Sequence, residues 1–206
     1  MHTPAYYKVE DENLIDRFLR DNSFGTLISA GVPYPLATHI PMELGFNTSG
    51  KSVLHGHISK ANPQWHSWVT HPQVLAVFLS PIHHYISSSW YNHPNVPTWN
   101  YMSVHVSGEL HILKEEALKD SLRQLTDKYE KDSLNPVSLD QLPATVQNQI
   151  NGIVGFEIHI ARKEASFKLS QNRNEEDFLN IIDQLKKTGS PKALNLAEVM
   201  EQLKRP

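Results

Sequence analysis

Phe24-Gly25-Thr26-Leu27-Ile28-Ser29, then Ala30-Gly31-Val32-Pro33, then Leu36-Ala37-Thr38-His39-Ile40-Pro41-Met42-Glu43-Leu44 is the stretch on which the fold turns. It reads as a strand, a glycine–proline turn and a second strand. Asn47-Thr48-Ser49-Gly50 is a further turn signal, after which Ser52–Ile58 returns as a third strand. Val74–Leu79 and Val104–Leu113 add two more strands, with a long irregular stretch, Pro81–Tyr101, between them. Ile153–Ala161 alternates Phe156, Ile158 and Ile160 against Glu157 and His159, the pattern of a half-buried strand, and Ala165–Leu169 extends or follows it.

The helical signals lie at the edges of this pattern. Asp11 caps a short helix carrying Leu14, Ile15, Phe18 and Leu19, and Asn62-Pro63 opens another that should run to about Val69. Glu115–Lys131 is a surface helix with Leu118, Leu122, Leu125 and Tyr129 on one face, and Leu142–Ile150 is a second short one. Phe178, Ile181, Ile182 and Leu185 mark a helix opening near Asn174 and ending before Gly189. Ser190-Pro191 starts a last helix with Leu196, Val199, Met200 and Leu203 on one face. The last two helices have helix-turn-helix spacing, but two helices appended to a barrel look the same in sequence. Short strands joined mostly by turns, with helices added late, predict an α+β, mainly β class: an antiparallel barrel with peripheral and C-terminal helices.

Composition narrows the function. The chain has 206 residues, 19 Lys+Arg against 22 Asp+Glu, a net charge of −3, twelve His and no Cys. Without Cys there is no disulfide scaffold, iron–sulfur cluster or thiol nucleophile. No apolar run approaches the roughly 20 residues of a membrane span, and Met1–Glu10 lacks the apolar core of a signal peptide, so a cytoplasmic protein without a membrane partner is expected. The mild acidity counts against a strongly basic nucleic-acid binder. Charge is unevenly spread: across the 87 residues from Asn22 to Gly108 the only formal charges are Glu43, Lys51 and Lys60. That stretch holds all four Trp (Trp65, Trp68, Trp90, Trp99) and nine of the twelve His. A segment so poor in charge reads as core plus a covered surface, a subunit interface or a ligand site.

Within it, His55-Gly56-His57-Ile58-Ser59-Lys60-Ala61-Asn62-Pro63 carries the clearest chemistry: a strand end, a Ser-Lys pair and a helix start. Ser59 supplies a hydroxyl and Lys60 a point charge where helix N–H groups would favour an anion such as phosphate; the plain alternative is a solvated lysine beside an ordinary cap. His55 and His57 share one strand face and could form half of a metal site, with His39, His83, His84 or His105 adding ligands. Glu43 is the only carboxylate nearby, so hydrogen-bonding histidines are favoured and no metal is assigned. The clusters Ser87-Ser88-Ser89-Trp90-Tyr91 and Pro97-Thr98-Trp99-Asn100-Tyr101 suit a flat heteroaromatic ligand or a dimer contact, although core packing explains either Trp taken singly. No glycine-rich phosphate loop, nucleophile elbow or close carboxylate pair is present, and no catalytic residue is assigned.

Several strings together resemble one family. Phe24-Gly25-Thr26-Leu27, Pro35–Pro41, Gly56-His57, Asn62-Pro63-Gln64-Trp65, Ser87–Tyr91, Val96–Tyr101 and Lys168-Leu169-Ser170-Gln171-Asn172-Arg173 are similar to the signatures of PaiB-type negative transcriptional regulators, over about Tyr6 to Leu185. The resemblance implies an FMN-binding split β-barrel acting as a homodimeric repressor, related in fold to pyridoxamine-phosphate oxidases and flavin reductases. It implies a barrel domain over residues 1–170 and a helical appendage over 171–206 packed on it. It places the FMN phosphate on Ser59 and Lys60, the ribityl chain and ring beside His55, Gly56 and His57, and Thr38 and His39 on the flavin's other side. Trp99 and the Gln171-Asn172-Arg173 corner would meet the flavin from the partner subunit. Many oxidases of this superfamily carry an Arg and a Lys along the second strand, where this chain has Thr38 and Glu43, so an arginine-pair clamp on the phosphate is not expected.

Two function classes follow: a dimeric FMN-binding regulator, with DNA as a partner that the charge supports poorly, or an FMN-dependent oxidoreductase of flavin reductase or oxidase type without direct DNA binding. The cofactor would carry the electrons in either case. Another flat ligand, such as haem, is the remaining alternative for the site.

Overall fold

A computed structural model describes residues 1–203. The strands are β1 (Lys8–Val9), β2 (Phe24–Ser29), β3 (Leu36–Pro41), β4 (Glu43–Phe46), β5 (Ser52–Ser59), β6 (Gln73–Leu79), β7 (His84–Ile86), β8 (Thr98–Ile112) and β9 (Ile153–Lys168). The helices are α1 (Glu12–Asp21), α2 (Trp65–Trp68), α3 (Glu115–Glu130), α4 (Ala144–Gln147), α5 (Glu175–Lys187) and α6 (Pro191–Gln202). The chain divides into two units, one of Asp16–Phe78 with Val106–Lys163, the other of Met1–Ile15, Leu79–His105 and Glu164–Pro206.

In the first unit the sheet runs β3-β2-β6-β8-β9-β5-β4. The two ends of that path, β3 and β4, are neighbours in the chain, separated only by Met42. The predicted single strand Leu36–Leu44 is thus two strands. β3 pairs with β2 up to Phe24↔Pro41, and β4 then pairs with β5 from Glu43↔His55. Proline at 41 lacks the N–H that would continue the first ladder, while Met42 is fully buried and its N–H goes to Ser23 O at 2.8 Å. One residue therefore hands the chain from one edge of the sheet to the other, and the sheet curls into a half-barrel. Its interior is filled by Leu27, Leu54, Ile58, Phe78, Phe156 and Ile158, with Trp68 set edge-on to Phe156 at 5.2 Å. Gly56 makes that possible, because a Cβ there would lie 2.6 Å from Phe156 Cζ.

Helix α3 has no buried residue. Its Leu118 rests over Gly155, where a Cβ would stand 2.3 Å from Leu118 Cδ1. The Lys128 Nζ and Tyr129 hydroxyl donate to the two Glu43 oxygens at 2.6 and 2.7 Å, and Tyr129 OH also meets Ser23 Oγ at 2.7 Å. The predicted helix at 142–150 is instead the single turn of α4 followed by a 3₁₀ segment, Asn148–Gly152.

In the second unit β1 pairs with the end of β9 (Lys8↔Ser166), and β7 pairs with the start of β8 (Tyr85↔Trp99). This hairpin lies where the sequence predicts irregular chain: a three-residue strand is shorter than any periodicity that could announce it. Asp11 accepts from the amides of Asn13 and Leu14, and Asn174 caps α5 by accepting from Asp177 N at 2.8 Å. Ile181, Ile182, Leu185, Leu196, Ala197 and Met200 are buried on α5 and α6. Gly189, at φ 68°, makes the left-handed turn between those helices that favours glycine.

Candidate functional site

The outward face of β5 carries the site residues of the first unit. Alternation along the strand sends Leu54, Gly56 and Ile58 inward and leaves His55 and His57 half-buried on the other face, with Ser59 exposed at the end. A cavity of about 140 Å³ lies against that face. Pro41, Glu43, Leu44 and Gly45 line it from one side, His55, Gly56 and His57 from the strand, and Ser121, Gln124, Leu125 and Lys128 from α3. Nothing in the sequence places α3 there; only the folded chain adds its hydroxyl, amide and ammonium to the histidines.

Both histidines are held neutral. Burial pushes the His55 pKa below the ordinary value, against the opposing pull of the Glu157 charge and a backbone contact to Phe46. Burial alone does the same at His57. The His55 Nδ1 and Nε2 are both buried and have no hydrogen-bond partner among the described residues. A neutral imidazole has one donor and one acceptor, and leaving such groups unpaired in a buried place costs about 1–3 kcal/mol each.

After β5 the chain turns tightly at Ser59–Asn62, with Asn62 N donating to Ser59 O at 2.9 Å. Lys60 is pinned by its backbone on both sides: its N–H goes to Gly152 O at 2.8 Å, and its carbonyl accepts from Trp65 Nε1 at 3.0 Å. Its side chain, like Ser59, is exposed. The expected helix from Asn62 to Val69 is only the four residues of α2. Asn62 Oδ1 takes the Gln64 amide at 3.0 Å, making a turn rather than a helix cap. A helix-dipole contribution to anion binding is therefore not built, and the lysine charge and the serine hydroxyl are what the turn offers.

Thr38 and His39 alternate on β3 and do not share a face. The Thr38 hydroxyl donates to Gln64 Oε1 at 2.5 Å and accepts from Asn62 Nδ2 at 2.9 Å. His39 is exposed and bonded to its cross-strand neighbour Thr26 at 2.8 Å. Gln64, 2 % exposed, passes unmarked in the sequence except within the Asn-Pro-Gln-Trp string. Its Nε2 donates to Leu27 O and Ser29 Oγ, each at 3.1 Å. Thr38, Asn62 and Gln64 thus fasten the Ser59–Lys60 turn to the β2–β3 ladder.

Trp99, Gln171, Asn172 and Arg173 belong to the second unit. Trp99 is 51 % exposed, its ring 6.0 Å from Tyr85 and 6.1 Å from His83. Gln171 serves its own turn, giving Nε2 to Phe167 O at 2.6 Å and taking Leu169 N at 2.7 Å. Asn172 Oδ1 accepts from the Tyr7 hydroxyl at 3.0 Å, and the Arg173 guanidinium lies 4.8 Å over the Tyr91 ring. The loop from Ser87 to Pro97 is tied to α5: Asn92 N donates to Asp177 Oδ1 at 2.7 Å, and Asn180 Nδ2 donates to Trp90 O at 2.7 Å. Among the described residues no group of three or more His, Asp or Glu side chains is gathered as a metal would need.

Comparison with known proteins places the chain. Residues 1–162 match the family described as "Putative FMN-binding domain". The chain is 43% identical over 203 residues to the "Protease synthase and sporulation protein PAI 2" of Bacillus subtilis (strain 168), covering 98% of this chain and 97% of that protein. Two solved structures share the fold. The FAD and heme binding protein of Mycobacterium smegmatis has a TM-score of 0.61 at 14% identity, over 79% of this chain and 73% of that one. The flavocytochrome Anf3 of Azotobacter vinelandii has a TM-score of 0.63 at 18% identity, over 86% and 78%. The fold is the antiparallel split β-barrel with peripheral and C-terminal helices.

Proposed function

The chain belongs to the FMN-binding-domain family, and on that footing we propose that it is a homodimeric flavin-responsive regulator holding FMN along the outer face of β5. The observation that carries this reading is His55, whose two buried ring nitrogens have no hydrogen-bond partner of good geometry among the described residues. His55 stands four residues along β5 from Ser59, at an exposed serine–lysine turn whose backbone is hydrogen-bonded on both sides of Lys60. The donor set fits the cofactor. Lys60 and Ser59 supply a charge and a hydroxyl for a phosphate monoester, and two neutral imidazoles suit the alternating donor and acceptor edge of a flavin ring.

Bound FMN supplies one- or two-electron redox chemistry. The residues bind and orient it. Lys60 neutralises phosphate charge, and the Thr38–Asn62–Gln64 network keeps the turn in place beneath it. His55 and His57, neutral because they are half-buried, hydrogen-bond to uncharged ring atoms without adding positive charge that would pull electrons onto the flavin. From a second copy, Trp99 would cover the ring, with Gln171, Asn172 and Arg173 forming the corner around it; the exposure of Trp99 supports this. The full-length match to the Bacillus subtilis sporulation protein supports a regulatory role, with the flavin or its redox state altering partner binding.

Titration of the purified protein with FMN, followed by flavin fluorescence, tests this. Saturable quenching is expected, and Lys60→Ala should raise Kd by about tenfold by removing a charge-assisted hydrogen bond. An unchanged Kd in Lys60→Ala removes Lys60 from the site, and absence of saturable binding removes the reading. Rapid bleaching by NAD(P)H under anaerobic conditions, with turnover, would favour an oxidoreductase instead.

A further inference from the structure

Helix α3 lies over the outer face of β5 without sinking into it: none of its residues is buried. It is fastened at two places. Leu118 seats over Gly155, the cross-strand partner of His57. Towards the other end, the Lys128 Nζ and the Tyr129 hydroxyl hold the two oxygens of Glu43, the cross-strand partner of His55, at 2.6 and 2.7 Å. Both fastenings therefore stand beside the histidines. The joint between β8 and α3 is set at Glu115, at φ 48°. A residue other than glycine keeps that left-handed backbone only where its surroundings over-determine it. Beneath the helix the ring nitrogens of His55 are buried, and the space left is about 140 Å³. Sites for ligands the size of a flavin occupy roughly 300–1,000 Å³.

The docked helix thus covers the atoms that a flavin would meet and leaves too little room for its ring. Building on the flavin reading of β5, on which this inference rests, we propose that α3 is an autoinhibitory roof over the site. Lys128 and Tyr129 latch it to Glu43, and the flavin ring reaches His55 and His57 only when the latch opens and the helix lifts. Lifting is cheap because few buried apolar contacts are lost with it, and it frees Glu115 from its strained backbone. FMN binds the lifted state, so its apparent affinity is the intrinsic one reduced by the fraction of chains in which α3 is lifted. Occupancy of the site in turn holds the helix off. A flavin-responsive regulator thereby gains the part that moves: a helix carrying Glu116, Lys119, Asp120 and Arg123, which shifts with flavin occupancy.

Hydrogen–deuterium exchange and titration with FMN, both on the full chain, test this together. In the wild type the amides of α3 should exchange faster with saturating FMN than without it. Tyr129→Phe removes the latch hydroxyl and Leu118→Ala the second fastening, and neither changes the charge near the site. Each should speed α3 exchange in the absence of FMN and lower the Kd for FMN about threefold or more, the opposite of what loss of a flavin contact does. Gly155→Ala, whose Cβ would stand 2.3 Å from Leu118 Cδ1, should act the same way from the strand beneath. Where FMN binds, α3 amides that it leaves unchanged or protects, or a Kd that all three variants leave unchanged or raise, overturn the roof and leave the flavin reading standing. Saturable binding in the variants but not in the wild type supports both. Absence of saturable binding in the wild type and in all three variants overturns the flavin reading and the roof with it.

Discussion

His55, His57 and His105 are three histidines that the fold keeps neutral by burying them, at His105 with help from the nearby N-terminal charge and against that of Glu164. Their folded pKa values lie below the ordinary histidine value of 6.5, so below that pH the unfolded chain takes up protons that the folded chain resists. Stability is therefore level above about pH 6.5 and falls as the solution is acidified below it. Urea midpoints across that range should show the decline, and His55→Gln with His57→Gln should flatten it. A slope unaltered in the double variant would assign the effect to other groups. At the same scale, the His-x-His pair was legible in the sequence as two side chains on one face, but their role was not. Whether an imidazole titrates, ligates a metal or hydrogen-bonds depends on what lies over it, here α3 and the cavity beneath.

Among the elements, α5 does two things. It buries Ile181, Ile182 and Leu185, and its first turns hold the aromatic loop. Asp177, 1 % exposed, accepts Asn92 N at 2.7 Å and Asn174 Nδ2 at 2.9 Å, and His93 Nδ1 lies 3.3 Å away. Replacing it by alanine leaves a buried amide without its acceptor and should cost roughly 2–3 kcal/mol. Amide exchange at Asn92 should accelerate more than exchange in β2 or β5; equal acceleration throughout would mean that Asp177 supports the fold generally and not this loop. The cap at Asn174 was visible as a residue type followed by a helical period, but its partner at position 92 was not, because contacts across 85 residues leave no local trace.

At the largest scale, the second unit exposes Trp99 and, with its ring 6.0 Å away, Tyr85. Large apolar side chains exposed together are unusual on a monomer, so equilibrium sedimentation is expected to return twice the mass of one chain. Trp99→Glu should shift it towards the single-chain mass, with the barrel's circular dichroism unchanged. A wild-type protein sedimenting as one chain at micromolar concentration would remove the homodimer and with it the partner's share of the flavin site. No helix among the described residues is long and apolar enough to cross a membrane.

The strands of the first hairpins, the capped helices and the crowding of His and Trp into a charge-poor stretch were determined by the sequence itself. Each rests on backbone freedom, side-chain period or desolvation cost acting within a few residues. The tertiary structure alone decided four things: that Met42 passes the chain from one edge of the sheet to the other, that β7 finds β8, that α3 roofs the β5 histidines, and that Lys168 meets Thr98. These depend on which distant segments can pack together without leaving hydrogen-bonding groups unpaired, a condition on the whole assembly that no local window of residues contains.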